Sequence, residues 1–317
     1  MGKCVLVTPR SFAALSDEPL RLLHAAGCEV IQLDRPADGC VTEDVMCAAI
    51  KGMDAVIVGL EPLSVRVLEA AHKLRVISKY GVGLDNIAVA AARARGIAIG
   101  WTPDANSNAV AELTLGLMFA LARRIPAASA QTRVGDFSKV VGVELRGRTL
   151  GIIGLGRIGQ RVALGAIGLG LRVIAYDIRS GLATDPIEPV DLDTLYAQAD
   201  IISLHIPLTT ETAGLIDAAA LSKMKRGALL INTARGGLID EAALYPALQS
   251  GQLSGAAIDS FAHEPPIDHP LLTLNNFIGT PHIASHTTEA IACMGRIAAE
   301  NVIAGLCGEP LPYPYSH

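Results

Sequence analysis

The run Gly154-Leu155-Gly156-Arg157-Ile158-Gly159 has the G-x-G-x-x-G spacing of a turn that holds phosphate. In that spacing Gly154 permits the tight turn, Gly156 lets the backbone approach a pyrophosphate, and Gly159 lets the next helix pack on the strand. The N–H groups at the new helix N-terminus then face the phosphate charge. A glycine-rich turn without a ligand is the plainer alternative, but the surroundings go further. An apolar stretch, 149–153, precedes the turn, and Ile158, Val162 and Ala166 follow at helical spacing. A second strand-like run, Arg172 to Tyr176, ends in Asp177, eighteen residues beyond Gly159. That is close to the roughly 20-residue spacing of the carboxylate that takes the adenosine ribose hydroxyls. Asp177 predicts NAD, because a carboxylate repels a 2′-phosphate. Arg179, two residues on, leaves room for NADP.

Three further residues stand in turns after late strand-like runs. Arg235 lies in Asn232-Thr233-Ala234-Arg235-Gly236-Gly237, where a guanidinium beside two glycines suits bidentate binding of a carboxylate. Glu264 lies in Phe261-Ala262-His263-Glu264-Pro265-Pro266, and His282 in Gly279-Thr280-Pro281-His282. A carboxylate beside an imidazole favours its protonated form and fixes its orientation. Such a pair gives a proton to a ketone or takes one from an alcohol, while a cation polarises the carbonyl. The hydride itself belongs to a nicotinamide. Singly, each residue reads as an ordinary surface side chain. Behind a dinucleotide turn, Arg235, Glu264 and His282 form a candidate catalytic set.

Two βα series must position these residues. Short apolar runs at 4–7, 29–33, 55–59, 75–78 and 97–99 alternate with helical segments at 18–26, 43–50, 65–72 and 86–95. The second series has runs at 150–154, 172–176, 201–204, 228–232, 256–259 and 277–279, with helices at 159–169, 192–199 and 241–250. This alternation predicts an α/β protein with two doubly wound parallel sheets. The expected plan is a Rossmann NAD-binding domain, 101–286, inserted into a flavodoxin-like substrate-binding domain, 1–100 and 287–317. Two long helices are expected at the junctions, 108–124 and 288–306, the first apolar nearly all round and stopping at Arg123, Arg124 and Pro126. Ligands of open α/β sheets bind outside the carboxyl ends of strands, so a cleft between the domains is where cofactor and substrate would meet.

Composition narrows the class. The chain has 317 residues, 50% hydrophobic and 18% charged, with a net charge of −5. It can bury two sizeable cores, and the acidic balance argues against nucleic acid as a partner. Cys4, Cys28, Cys40, Cys47, Cys293 and Cys307 include no C-x-x-C pair, so no metal site is expected and reduced thiols are. No basic-then-apolar leader opens the chain, and its apolar segments read as too short or too interrupted to span a bilayer. A cytoplasmic protein without a membrane partner is expected.

The chain resembles the D-isomer-specific 2-hydroxyacid dehydrogenases along essentially its whole length, most closely the D-3-phosphoglycerate dehydrogenase branch. The motifs are Lys79-Tyr80-Gly81-Val82-Gly83-Leu84-Asp85-Asn86, Asn106-Ser107-Asn108-Ala109-Val110-Ala111-Glu112, the glycine turn, His205-Ile206-Pro207-Leu208, Asn232 to Gly237 and Pro281-His282-Ile283. The resemblance implies Arg235 as the substrate-binding arginine, His282 as acid/base and Glu264 as its partner. It implies NAD contacts at Arg157, Ile158, Asp177, His205, Pro207, Thr233, Ala234, Arg235, Asp259 and His282, beside Gly154, Gly156 and Gly159. Val82 and Gly83 match the family's substrate-carboxylate loop, where backbone N–H groups form an anion nest, although a plain βα connection reads the same way. Lys79 stands where this branch has a basic residue beside that loop, and it reads as an anion ligand or as a solvated lysine.

The implied activity is NAD-dependent interconversion of a small 2-oxo acid and its D-2-hydroxy acid, such as 3-phosphoglycerate, by a homodimer. Formate or phosphite oxidation, or an NAD-sensing corepressor-like protein, are the alternatives. Two departures stand out. The run His282-Ile283-Ala284-Ser285-His286-Thr287 carries His286 where the branch has small residues, so His286 touches a substrate tail or lies on a rim. The chain is also read as lacking the branch's C-terminal regulatory domain.

Overall fold

The strands read as unbroken apolar runs because both sheets are parallel and covered on both faces. In the computed structural model, which describes residues 2–36 and 40–315, the chain divides into two compact units. Unit 1 comprises Met1–Asn106 with His286–His317, and unit 2 comprises Ser107–Ser285.

Unit 1 runs β1 (Lys3–Val7), α1 (Glu18–Ala25), β2 (Cys28–Gln32), α2 (Glu43–Ala49), β3 (Ala55–Val58), α3 (Val65–Ala70), β4 (Val76–Lys79), α4 (Val89–Ala94) and β5 (Ala98–Gly100). Its strand order, β2-β1-β3-β4-β5, is the flavodoxin-like 2-1-3-4-5 order. Residues 101–106 stay with this sheet, since Trp101 N–H donates to Tyr313 O and Thr102 bonds Gly81 through Oγ1.

Unit 2 runs α5 (Ser107–Ala122), α6 (Ile125–Arg133), β6 (Thr149–Ile153), α7 (Arg157–Gly168), β7 (Arg172–Tyr176), β8 (Ile187–Pro189), α8 (Leu192–Gln198), β9 (Ile201–Leu204), α9 (Ala218–Lys223), β10 (Ala228–Asn232), α10 (Glu241–Gln249), β11 (Leu253–Ile258) and β12 (Phe277–Gly279). The order β12-β11-β10-β9-β6-β7-β8 is the Rossmann order with a seventh strand added at one edge. Alternate strand residues feed two cores. Ile152, Leu229 and Ile231 pack beneath α5 and α7, while Ile153, Leu230 and Ile202 pack toward α8, α9 and α10. α11 (Thr288–Cys307) returns to unit 1, against α1, β3, β4 and β5.

Three expectations change. The helix expected over 108–124 ends at Ala122, and α6 begins at Ile125 with a proline in its first turn. Pro126 thus opens a helix, because its missing N–H would be unpaired there anyway. Arg124 makes the break with a left-handed φ of 53°. α5 is also not covered all round, since Phe119 remains 38% exposed. Finally, α11 is long and apolar enough to cross a membrane by length and composition. Its apolarity has another cause: Ile291, Met294, Ile297, Ala298 and Val302 are buried in the unit 1 core.

Candidate active site

The fold itself requires two of the turn's three glycines. Gly154 has φ 96°, and a Cβ there would lie 2.5 Å from His205 O. The turns after β6 and β9 touch at this point, which is where the strand order reverses. A Cβ on Gly159 would lie 2.1 Å from Gly154 O, so α7 approaches the turn too closely for any side chain. Gly156 differs. It caps α7 with extended backbone, and its Cβ would meet only Arg179 Nη2, at 3.8 Å. Among the described residues no contact demands a glycine there, so the bare backbone suits a ligand's close approach. Arg157 begins α7 and is exposed, and Ile158 is half-buried beside it.

Asp177 follows β7, and its side chain is only 10% exposed. Burial alone would raise its carboxyl pKa. Bonds from the Arg179 side chain, the Arg179 N–H and the Leu155 N–H outweigh that and hold it low, so it is ionised. Leu155 N–H donates to Oδ2 at 2.8 Å, which ties the carboxylate to the glycine turn. Arg179, 63% exposed, pairs with it at 3.2 Å.

His205 is half-buried after β9, with Nε2 2.9 Å from Ser203 Oγ, and Pro207 is exposed two residues on. Burial pushes the His205 imidazole from 6.5 down to about 4, so it is neutral near pH 7. The unfolded chain binds this proton more readily. The residue's stabilising share is therefore complete above about pH 6.5 and is lost as pH falls toward 4. We predict that the ligand-free protein loses about 2 kcal/mol through this residue between pH 7 and pH 5. Urea unfolding at both values checks it: His205→Gln should lose that much less than wild type, and equal losses would refute the assignment.

Arg235, Glu264 and His282 follow β10, β11 and β12, on the same carboxyl edge as the glycine turn. Asn232 shapes the first of these turns, accepting from Ala234 N–H at 3.0 Å and donating to Arg235 O at 2.7 Å. Thr233 is buried with Oγ1 2.7 Å from Thr114 Oγ1. Arg235 Nη1 donates to Ala234 O at 2.7 Å. Glu264 brings both oxygens within 3.1 Å of His282 Nδ1. That contact occupies Nδ1 and leaves Nε2 as the ring's other proton site, while Ser260 Oγ lies 3.4 Å from each ring nitrogen.

His282 has φ 53°, a left-handed conformation that costs a non-glycine residue roughly 1–2 kcal/mol. The surrounding bonds hold it there. His282 N–H donates to Asp259 O at 2.9 Å, and the 1%-exposed Asp259 carboxylate accepts from Thr280 Oγ1, Ile283 N–H and Ala284 N–H. Asp259, named from the resemblance as a cofactor contact, thus braces the histidine loop in the structure. Asn232 and Ser260 carried no separate sequence signal.

In unit 1, Lys79 is not the solvated lysine that one reading allowed. It is 4% exposed at the end of β4, donating to Gly59 O and, at 2.8 Å, to Asn86 Oδ1. Gly81 takes φ 138°, and its N–H donates to Thr102 Oγ1 at 2.9 Å. Val82 and Gly83 follow, half-buried. His286 is exposed.

A doubly wound parallel sheet with this turn at its switch point defines a dinucleotide-binding protein. Residues 115–284 match the model of the D-isomer specific 2-hydroxyacid dehydrogenase NAD-binding domain. The chain is 45% identical over 278 residues to a D-3-phosphoglycerate dehydrogenase of Methanocaldococcus jannaschii, covering 85% of this chain and 53% of that one. It is 42% identical over 270 residues to a hydroxypyruvate reductase of Thermotoga maritima, covering 83% and 88%. Among solved structures, the TT0316 protein of Thermus thermophilus superposes with a TM-score of 0.90 at 37% identity, over 99% of this chain and 100% of that one. The chain spans about half the length of the phosphoglycerate dehydrogenases it matches. It belongs to the D-isomer-specific 2-hydroxyacid dehydrogenase family and carries that family's NAD-binding domain.

Proposed function

We propose that the chain interconverts a small 2-oxo acid and its D-2-hydroxy acid with NAD. The observation that carries this reading is the His282–Glu264 contact on the same sheet edge as the glycine turn. Unit 2 is the NAD-binding domain in this reading, and within unit 1 the resemblance assigns the substrate-carboxylate loop to Val82 and Gly83, next to the buried Lys79. The turn at Gly154, Gly156 and Gly159 takes the pyrophosphate on the α7 N-terminus, and Asp177 takes the adenosine ribose. Arg157, Ile158, His205, Pro207, Thr233 and Ala234 complete the cofactor's surroundings.

A bound nicotinamide supplies the hydride in reduction and receives it in oxidation. Arg235 holds the substrate carboxylate and polarises the carbonyl. In reduction, His282 gives its Nε2 proton to the carbonyl oxygen. In oxidation, the neutral ring takes the hydroxyl proton at the same atom. Glu264 stabilises the imidazolium and fixes the ring through Nδ1. Asp259 keeps the backbone of the histidine loop in place.

We read the protein as cytoplasmic, which its six scattered cysteines, with no C-x-x-C pair, support. We also read it as a homodimer. Phe119, Ile125, Val134, Phe137 and Val141 expose a run of apolar surface on unit 2, with Val134, Phe137 and Val141 each more than 75% exposed, and a second copy would cover it. The deciding assay follows NADH consumption with glyoxylate, hydroxypyruvate, 3-phosphohydroxypyruvate and longer 2-oxo acids. Turnover of at least one is expected, with kcat/KM about 100-fold better for NADH than for NADPH. Equal efficiency would sink the preference for NAD. Tight NADH binding without turnover of any oxo acid would favour the sensor reading, and turnover of formate or phosphite alone would favour the small-anion one.

A further inference from the structure

A second carboxylate–histidine pair lies beside the candidate catalytic pair, and the reaction described above does not use it. Glu241 is the first residue of α10, but it is not needed to cap that helix. Asp240 does so, accepting from Ala242 N–H at 3.0 Å and Ala243 N–H at 3.1 Å. Glu241 instead reaches across to the loop between β11 and β12. Its Oε1 accepts from Ala262 N–H at 2.8 Å, and its Oε2 lies 3.0 Å from His269 Nε2. Both side chains are largely covered, at 12% and 22% exposure, so solvent screens the contact only partly. His269 Nδ1 accepts from Leu271 N–H at 3.3 Å, the acceptor role of that nitrogen. Nε2 is then the ring's donor to Glu241. The His269 ring also packs edge-on against Phe261, 5.8 Å between centroids.

These contacts grip the loop at Ala262, near its start, and at His269, near its middle, and Glu264 lies between them in the chain. Phe261 N–H donates to Glu264 Oε1 at 3.0 Å, so consecutive amides of one turn are held by Glu264 and by Glu241. The same turn is the seat of the Arg235 loop: a Cβ on Gly236 would lie 2.0 Å from Phe261 O and 2.4 Å from Ala262 N. α10 follows that loop after Leu238, Ile239 and Asp240. One carboxylate thus ties the segment after Arg235 to the segment that carries Glu264.

We propose that Glu241, through His269 and the Ala262 amide, is a positioning residue that sets Glu264 against His282 in register with Arg235. The proposal rests on the dehydrogenase reading for its effect on rate, but its structural coupling can be read without turnover. Glu241→Gln tests it, because a glutamine has one acceptor oxygen for the two donors, Ala262 N–H and His269 Nε2–H, and so loses one of the two bonds whichever way its amide turns. With the best oxo acid, kcat should fall about tenfold while KM and the NADH Kd stay within about twofold, in keeping with the cost of a sub-ångström misplacement. In a Glu264→Gln background the added Glu241→Gln change should cost less than about twofold, since the group it positions is already altered. Full kcat in the single variant, or costs that simply multiply in the double variant, would overturn the proposal. If Glu241→Gln does not fold, His269→Asn replaces it in the same cycle; asparagine keeps the cap on Leu271 but is too short to reach Glu241. If the wild type turns over no substrate, the dehydrogenase reading fails and the coupling is read by nitrogen-15 NMR of His282. Glu241→Gln should then move the Nδ1 resonance toward its position in Glu264→Gln, and an unmoved resonance overturns the proposal.

Discussion

Replacing His282 by asparagine should lower kcat about 10³-fold, within the range that removal of a general acid–base group produces, while NADH, which keeps all its other contacts, binds within about threefold of wild type. Asparagine is the informative substitution because position 282 has φ 53°. Asparagine tolerates the left-handed region, whereas alanine adds backbone strain to the loss of the ring. A failed asparagine variant therefore reports chemistry rather than loop collapse. The backbone bonds to Asp259 and Thr280 do not depend on the side chain and survive the change. NADH fluorescence titration beside steady-state kinetics separates the two effects. A variant that keeps most of its kcat would remove His282 from the acid–base role. Glu264→Gln should cost less, about 10- to 100-fold, since the ring and its Nε2 remain.

The glycine turn carries the other large effect, as a contrast between neighbours. Gly156→Ala should fold and melt like the wild type but bind NADH at least about tenfold more weakly, a change of about 1.4 kcal/mol. Its backbone is extended, and its added Cβ meets protein only at 3.8 Å, so any loss must arise against the ligand. Gly159→Ala should instead lose about 3 kcal/mol or more of stability, because its Cβ would lie 2.1 Å from a carbonyl oxygen that has no room to retreat. Thermal unfolding and NADH titration of both variants check the pair. Wild-type NADH affinity in Gly156→Ala would deny the turn its pyrophosphate role.

The strands were legible because parallel strands buried on both faces leave continuous apolar runs, and the glycine turn because its spacing is a backbone requirement. What stayed hidden depends on contacts between distant segments or on very short elements. α9 has six residues and rests on an Asp217 cap, accepting from Ala220 N–H at 2.8 Å. β8 is a three-residue edge strand ending in a proline. α6 was hidden because Pro126 reads as a stop after a long helix, although it is also a good first-turn residue. Lys79 illustrates the limit for the site. A lysine beside a glycine loop suggests a solvated cation, and only the packing of residues 59 and 86 around it reveals a buried brace. Glu241 and His269 gave no signal for the same reason, since 28 residues separate them in the chain.

α11 also orders events during synthesis. It covers β3, β4 and β5 of unit 1, yet it is made only after the whole of unit 2 has been translated. Unit 2 is one uninterrupted stretch and has all of its strands once residue 279 has emerged. On the ribosome, the nucleotide-binding half can therefore finish folding while β3, β4 and β5 of the first-made sheet still lack the helix that covers them. That exposed β surface has to wait, or be shielded, until residues 288–307 arrive to close it.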